Sequence, residues 1–206
     1  MEVTCISDTH NKHDELSLPE ADLLIHAGDF TEAGTKKESL EFLNWFSSQP
    51  HKNKILIAGN HDFYFEKHKD IYNIIPENIH YLKDSGIEIN GLYFWGSPVT
   101  PGQLGWAFNR ERGREIKKHW DKIPVNTNVL ITHTPPYKIM DVLDNGEHIG
   151  CEELRKKIND LHLKMHVYGH LHDSYGSVKA AECLYVNASC LDQKHRNINI
   201  PNTYTL

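Results

Sequence analysis

An α/β fold is predicted by three features of this 206-residue sequence. Short apolar, β-branched runs recur along the chain and stop abruptly at Gly, Asp, Asn or His, as buried strands do at the carboxyl edge of an open sheet. Between them, residues 35–49, 110–121 and 151–161 read as helices. Asn90-Gly91, set between apolar runs at 87–89 and 92–95, is the strongest short-range sign of a two-residue hairpin. Antiparallel strands therefore join a β-α-β rhythm.

In chain order, residues 2–6 are β-branched and apolar, and Ser7-Asp8-Thr9-His10-Asn11 breaks the strand with turn formers. Residues 21–27 form a second buried strand that leads to Asp29. The helix at 35–49 carries Leu40, Leu43, Trp45 and Phe46 on or near one face, with Lys36, Lys37, Glu38 and Glu41 opposite, and Pro50 stops it. A third strand, 55–58, delivers Gly59-Asn60-His61-Asp62. Residues 63–75 read as a short helix capping the sheet. The loop 96–109, with Pro98, Pro101, Gly102, Gly105, Trp106 and Phe108, is long for a connector and is read as a pocket wall. After the helix at 110–121, a strand at 128–133 ends in His133, and a second long loop runs to 149. The helix at 151–161 precedes a strand at 165–168 that ends in Gly169-His170-Leu171-His172. Short β segments follow at 175–179, 183–186 and 197–200. The pattern is that of one domain spanning residues 1–206.

A formal net charge of -6 argues against a general binder of nucleic-acid polymers, which needs clustered Lys and Arg. The four cysteines, Cys5, Cys151, Cys183 and Cys190, lack paired Cys-x-x-Cys spacing, so buried free thiols are expected. A strand beginning almost at Met1 leaves no room for a leader, and no run approaches the roughly 18 apolar residues of a membrane span, so a cytoplasmic protein without membrane contact is expected.

Five strand ends share one chemistry: Asp8 and His10, Asp29, Asn60 with His61, His133, and His170 with His172. Two divalent cations held a few Å apart need three or four protein ligands each and a carboxylate to bridge them. Imidazole, carboxylate and amide oxygen without thiolate suit Mn, Fe, Zn or Co better than Ca. A single His-x-His pair carries little weight in a chain with 15 histidines; the joint order of all five strand ends carries much more. His26, on a buried strand, is read as a core histidine, and His13, after His10, as a candidate substrate contact. Trp106 and Phe108 are read either as loop packing or as a stacking wall for a nucleobase.

In Asp8-Thr9-His10, Gly28-Asp29, Gly59-Asn60-His61-Asp62, His133 and Gly169-His170-Leu171-His172, the sequence resembles the calcineurin-like metallophosphoesterase superfamily, with every ligand position filled. Residues 25–32, 132–136, 169–176 and 186–189, with Gly96-Ser97-Pro98 and residues 105–109, resemble more narrowly its metallophosphoesterase-domain-containing, cyclic-nucleotide phosphodiesterase-like subfamily. The resemblance implies a four-layer α/β/β/α sandwich of two mixed sheets with a dinuclear site at the strand ends. It implies that Asp8, His10 and His172 bind one ion, that Asn60, His133 and His170 bind the other, and that Asp29 bridges them. Mn is favoured among Mn, Fe, Zn, Co and Mg. His61 then protonates the leaving oxygen, Asp62 orients that ring, and a hydroxide bridging the ions attacks phosphorus in line.

The leading expectation is a phosphodiesterase for cyclic nucleotides or other small diesters. A phosphomonoesterase, including a protein phosphatase, comes second; against the latter, Phe30-Thr31-Glu32-Ala33-Gly34 lacks the Arg such enzymes place after Gly-Asp. A scaffold on a degenerate fold comes last, since no ligand is missing.

Overall fold

Alternation along the buried strands decides which of two cores each side chain enters. The computed structural model describes residues 1–102, 105–143, 145–196 and 198–206. Its elements in chain order are β1 (Glu2–Ile6), β2 (Leu23–Ala27), α1 (Lys36–Ser48), β3 (Asn53–Ile57), α2 (Phe63–Lys67), α3 (Ile71–Ile74), β4 (His80–Tyr81), β5 (Ser85–Ile89) and β6 (Leu92–Ser97). They continue with β7 (Thr100–Pro101), β8 (Asn109–Arg110), α4 (Arg114–Trp120), β9 (Val129–Thr132), α5 (Glu152–Ile158), β10 (Met165–Tyr168), β11 (Gly176–Ala180), β12 (Cys183–Asn187) and β13 (Asn202–Thr205).

Val3, Cys5, Leu23, Ile25, Ile55 and Ile57 face one way, into a core shared with Phe94, Val129, Ile131, Met165 and Val167 of the second sheet. Their alternates Ile6, Leu24 and Leu56 face the other way, against Phe42, Leu43 and Phe46 of α1. On the far side, Ile116 and Trp120 of α4 and Leu154 and Ile158 of α5 cover Leu130 and Tyr168. Helix, sheet, sheet, helix is the four-layer sandwich expected.

The first sheet has the order β13-β1-β2-β3-β4, parallel except for β13 at its edge. The second runs β11-β12-β10-β9-β6-β5, with four central parallel strands and antiparallel strands at both edges. The β5-β6 hairpin turns at Asn90-Gly91, both with positive φ (51° and 75°), as its two-residue turn requires. Parallel strands align their carboxyl ends, so the sequence-predicted polar strand ends come out on one edge.

Helix α1 opens on a capping box in which the Thr35 hydroxyl accepts from the Glu38 N–H at 3.2 Å and the Glu38 carboxylate accepts from the Thr35 N–H at 2.8 Å. Its buried stripe is Ser39, Phe42, Leu43 and Phe46 rather than the expected set: Leu40 is 36% exposed and Trp45 only half-buried. At 100° per residue both lie at the margins of the arc centred on Phe46 and Ser39. The expected helix at 63–75 divides into α2 and α3. The helix expected from 110 starts at Arg114, because Asn109–Arg110 pairs with β7 and Gly113, at φ 78°, turns the chain into the first helical turn. Of the strand expected at 197–200, residue 197 lies outside the described residues and Ile198 forms an isolated bridge to Leu191. The edge strand is β13 instead, whose Thr203 hydroxyl meets that of Thr4 at 3.0 Å. All four cysteines are buried and free, as expected.

Candidate metal centre

The polar strand ends meet where the two sheets come together. From the first sheet, β1 leads to Asp8 and His10, β2 to Asp29, and β3 to Asn60, His61 and Asp62. From the second, β9 leads to His133, and β10 to His170 and His172. A parallel bridge between Ser7 and Ser189 ties the sheets together here, and the Ser189 hydroxyl donates to Asp8 Oδ2 at 3.0 Å.

The backbone is bent to make this fit. Asp8, His10, Asp29 and His170 all have positive φ, at 54°, 40°, 55° and 69°, a conformation that costs L-residues free energy and concentrates at functional sites. A Cβ at Gly169 would collide with the Asp8 carboxylate, and one at Gly59 with the Asp29 carboxylate. Only glycine lets these chains pass so close to the two carboxylates.

Two of the imidazoles, those of His133 and His172, are oriented by their second nitrogen. His133 Nδ1 donates to the Ala27 carbonyl at 2.9 Å, which aims Nε2 at Asp29 Oδ2 (3.1 Å) and Asn60 Oδ1 (3.0 Å). His172 Nδ1 donates to the Leu191 carbonyl at 2.9 Å, leaving Nε2 3.6 Å from Asp8 Oδ1. The His170 N–H donates to both Asp8 oxygens, at 3.0 and 2.9 Å. Burial would raise the Asp29 carboxyl, but the adjacent His133 imidazole outweighs it and holds Asp29 far below the carboxylate range. Burial would likewise lower His133, and the Asp29 charge instead lifts it to about 9. Burial pushes His10 and His170 down to about 4, so both rings are neutral near pH 7 with a lone pair to offer.

These residues fit divalent cations. His10 is buried, yet neither ring nitrogen makes a hydrogen bond; Nδ1 comes within 3.3 Å of a Glu32 carboxylate oxygen without hydrogen-bond geometry. Buried polar atoms are normally paired, and a neutral unpaired imidazole beside buried carboxylates has the chemistry of a metal ligand. Donor atoms of Asp8, His10 and Asp29 lie within 4.8 Å of one another, as do those of Asp29, His133 and His170. Asp29 belongs to both groups.

Some expectations are corrected. Asp62 does not face the His61 ring: its carboxylate accepts from the N–H groups of Asp29, Gly59 and Thr31 and from the Thr31 hydroxyl. What orients His61 is the Glu32 carbonyl, 2.8 Å from Nδ1. The chain turns into α2 at Asp62, directing its side chain back beneath the Asp29 loop while His61 points outward. His13 is buried against Phe42 and Trp45 rather than presented to the site. His26 is the core histidine expected, with the Gly28 N–H donating to its Nδ1 and Thr9 Oγ1 3.1 Å from its Nε2, so it laces two ligand loops together. Phe108 is buried packing, whereas Trp106 is 49% exposed with its ring 4.7 Å from that of His61. Sequence reasoning missed Glu32 and His195. Glu32 sits three residues beyond Asp29, which was a usable signal; His195 lies in an irregular loop and carried none.

The family model for calcineurin-like phosphoesterases matches residues 1–174. Human metallophosphoesterase domain-containing protein 1 is 36% identical over 222 aligned positions, which take in 96% of this chain and 68% of that protein. The UPF0046 protein K07C11.7 of Caenorhabditis elegans is also 36% identical, over 92% of this chain and 69% of its own. Among solved structures, the phosphopantetheinyl hydrolase of Mycobacterium tuberculosis matches with a TM-score of 0.63 at 15% identity, covering 94% of this chain and 90% of that one. TT1561 of Thermus thermophilus matches at 0.64 with 12% identity, covering 99% and 98%. These last two likenesses are of fold alone.

Proposed function

Because the chain belongs to the calcineurin-like phosphoesterase family, we propose that it is a dinuclear metal-dependent phosphodiesterase acting on cyclic nucleotides or other small phosphodiesters. The observation that carries the reading is the convergence of buried Asp8, His10, Asp29, Asn60 and His133 with half-buried His170 and His172 on one edge, His10 being left without a hydrogen bond. Asp8, His10 and His172 would hold one ion and Asn60, His133 and His170 the other, with Asp29 shared. When bound, such ions neutralise phosphate charge and supply a nucleophile from water at neutral pH; Mn is the favoured metal. His61 lies beside this pair, its ring 4.7 Å from that of His10. With Nδ1 donating to the Glu32 carbonyl, its Nε2 is the atom available to protonate the departing ester oxygen.

The residues after Asp29 support a preference for a diester. Phe30 is buried, Thr31 is engaged by Asp62, and Glu32, whose side chain is 50% exposed, turns a carboxylate rather than a cation toward the mouth. Near pH 7 a phosphomonoester carries close to two negative charges and a diester one, so the carboxylate penalises the monoester more. The exposed face of Trp106, backed by Phe63 at 6.0 Å, offers the leaving side of the substrate a surface for a base. No helix among the described residues is long and apolar enough to cross a membrane. The test is paired steady-state kinetics on bis-p-nitrophenyl phosphate and p-nitrophenyl phosphate, with stripped protein reloaded with Mn or left bare. Metal-dependent turnover favouring the diester is expected. Preference for the monoester would establish the phosphatase reading instead, and no turnover with any metal would overturn the enzymatic one.

A further inference from the structure

The loop after β12 carries a histidine into the centre that no strand-end motif accounts for. His195 stacks on His10, rings 4.3 Å apart and 22° from parallel, and lies 5.1 Å and 15° from the ring of His172. Ring nitrogens of the three lie within 4.8 Å of one another.

This approach is built rather than incidental. The Leu191 and Asp192 carbonyls accept from His172 Nδ1, at 2.9 and 3.2 Å. Asp192 Oδ1 accepts from the N–H groups of Lys194 and Arg196, at 3.1 and 2.8 Å, closing a turn around His195. Lys12 Nζ, from the loop carrying His10, donates to the His195 carbonyl at 2.6 Å. The His195 side chain is 29% exposed, and its Nδ1 lies 3.4 Å from Glu32 Oε2, the same oxygen that His10 Nδ1 approaches to 3.3 Å. His195 Nδ1 thus faces the same carboxylate as His10 Nδ1, which leaves its Nε2 edge for another partner. Beside it, His172 has one nitrogen on a carbonyl and the other free, the pattern that orients ligating imidazoles in metal sites.

We propose that His195 is a further imidazole ligand of the ion held by Asp8, His10 and His172. The inference rests on the dinuclear reading above and adds to it an asymmetry between the sites. A third imidazole takes a coordination position otherwise left to water and makes this site richer in nitrogen than its neighbour, favouring a softer divalent metal there.

The experiment compares the full chain with His195→Ala and His195→Gln, stripped of metal, titrated calorimetrically with Mn and Co and examined by visible and X-ray absorption after Co loading. The unchanged protein is expected to bind two ions. Both variants should also take up two, one of them with affinity reduced at least about tenfold, and the Co centre should lose one imidazole across the pair of ions. Unchanged affinities and unchanged Co spectra in both variants would overturn the inference whatever happens to turnover, and a simultaneous loss of turnover would make His195 a substrate contact. If the unchanged protein binds no divalent ion, the dinuclear reading fails and the inference with it.

Discussion

Replacement of Asp62 separates two accounts of the Gly-Asn-His-Asp segment. The side chain is fully buried, and Oδ2 accepts from the N–H groups of Asp29 (2.9 Å) and Gly59 (2.7 Å), while Oδ1 accepts from the Thr31 N–H (3.0 Å) and Thr31 Oγ1 (2.6 Å). Burial and the nearby Asp29 charge push this carboxyl up to about 7, and the Thr31 and Gly59 donors oppose that rise. In Asp62→Ala three backbone N–H groups lose their acceptor. Each buried orphan costs about 1–3 kcal/mol, and with partial relaxation the sum is about 3–5 kcal/mol, at the upper end for a single substitution. In Asp62→Asn the amide nitrogen does least damage facing Thr31, whose hydroxyl can rotate to accept, so one N–H is orphaned and the cost is about 2–3 kcal/mol. Urea unfolding of the metal-free proteins measures this directly, and metal affinity should fall too, because the Asp29 and Gly59 loops lose their anchor. If Asp62→Ala unfolds within about 0.5 kcal/mol of the unchanged protein while turnover collapses, Asp62 acts on the chemistry of His61 and does not serve as the anchor of these loops.

Asp29→Ala should abolish turnover and reduce metal content, measured by elemental analysis after gel filtration; near-normal activity would remove the dinuclear reading. His61→Ala should retain both ions but slow diesters with poor leaving groups about 10²–10⁴-fold while sparing p-nitrophenyl esters, which need little protonation; equal losses on both would show that His61 is not the acid. In chelator, the thermal midpoint should fall as pH rises from about 6.5 to about 9. His133, lifted to about 9, contributes stability that is complete below its unfolded value of 6.5 and lost as pH passes through about 9. Its partner Asp29, held low, contributes above the unfolded value of 3.8 and loses this only in acid. A midpoint flat across 6.5–9, or a decline that persists unchanged in Asp29→Asn, would contradict the His133–Asp29 pair.

Legibility followed how locally each feature is encoded. Asp8, His10, Asp29, Asn60, His133, His170 and His172 were readable because each follows directly on a short apolar run, and parallel strands place such ends on one edge whatever the loops do. The Asn90-Gly91 hairpin was readable because its turn demands those residues. Phe42 was overlooked in favour of Leu40 and Trp45, since one apolar face is hard to phase when aromatic residues surround it. The partner that Asp62 serves could not be read, because a residue entering a helix can turn its side chain to either side and only packing decides which. His195 comes from a segment without period or turn signature, and what brings it inward is His172, which holds the Leu191 and Asp192 carbonyls, and Lys12, which holds the His195 carbonyl, both remote in sequence. β13 was misplaced because its four residues alternate weakly and gain their order from β1.

The Ser7–Ser189 bridge has a mechanical meaning. Apart from that bridge, among the described residues the sheets face each other across side chains, without a backbone ladder between them, and at their carboxyl ends the contact is made by acids and imidazoles, of which the His133–Asp29 pair attracts while His10 is left without a hydrogen bond. Each proposed ion draws ligands from both sheets, one through Asp8, His10 and His172, the other through Asn60, His133 and His170. A cation there acts as a rivet through two plates. Metal loading should therefore raise resistance to unfolding of the whole molecule, increasing with the logarithm of free metal once the sites fill, and the first part to open on chelation should be this seam, with hydrogen exchange rising at Ser189 and Gly169 before it rises in the strands behind them.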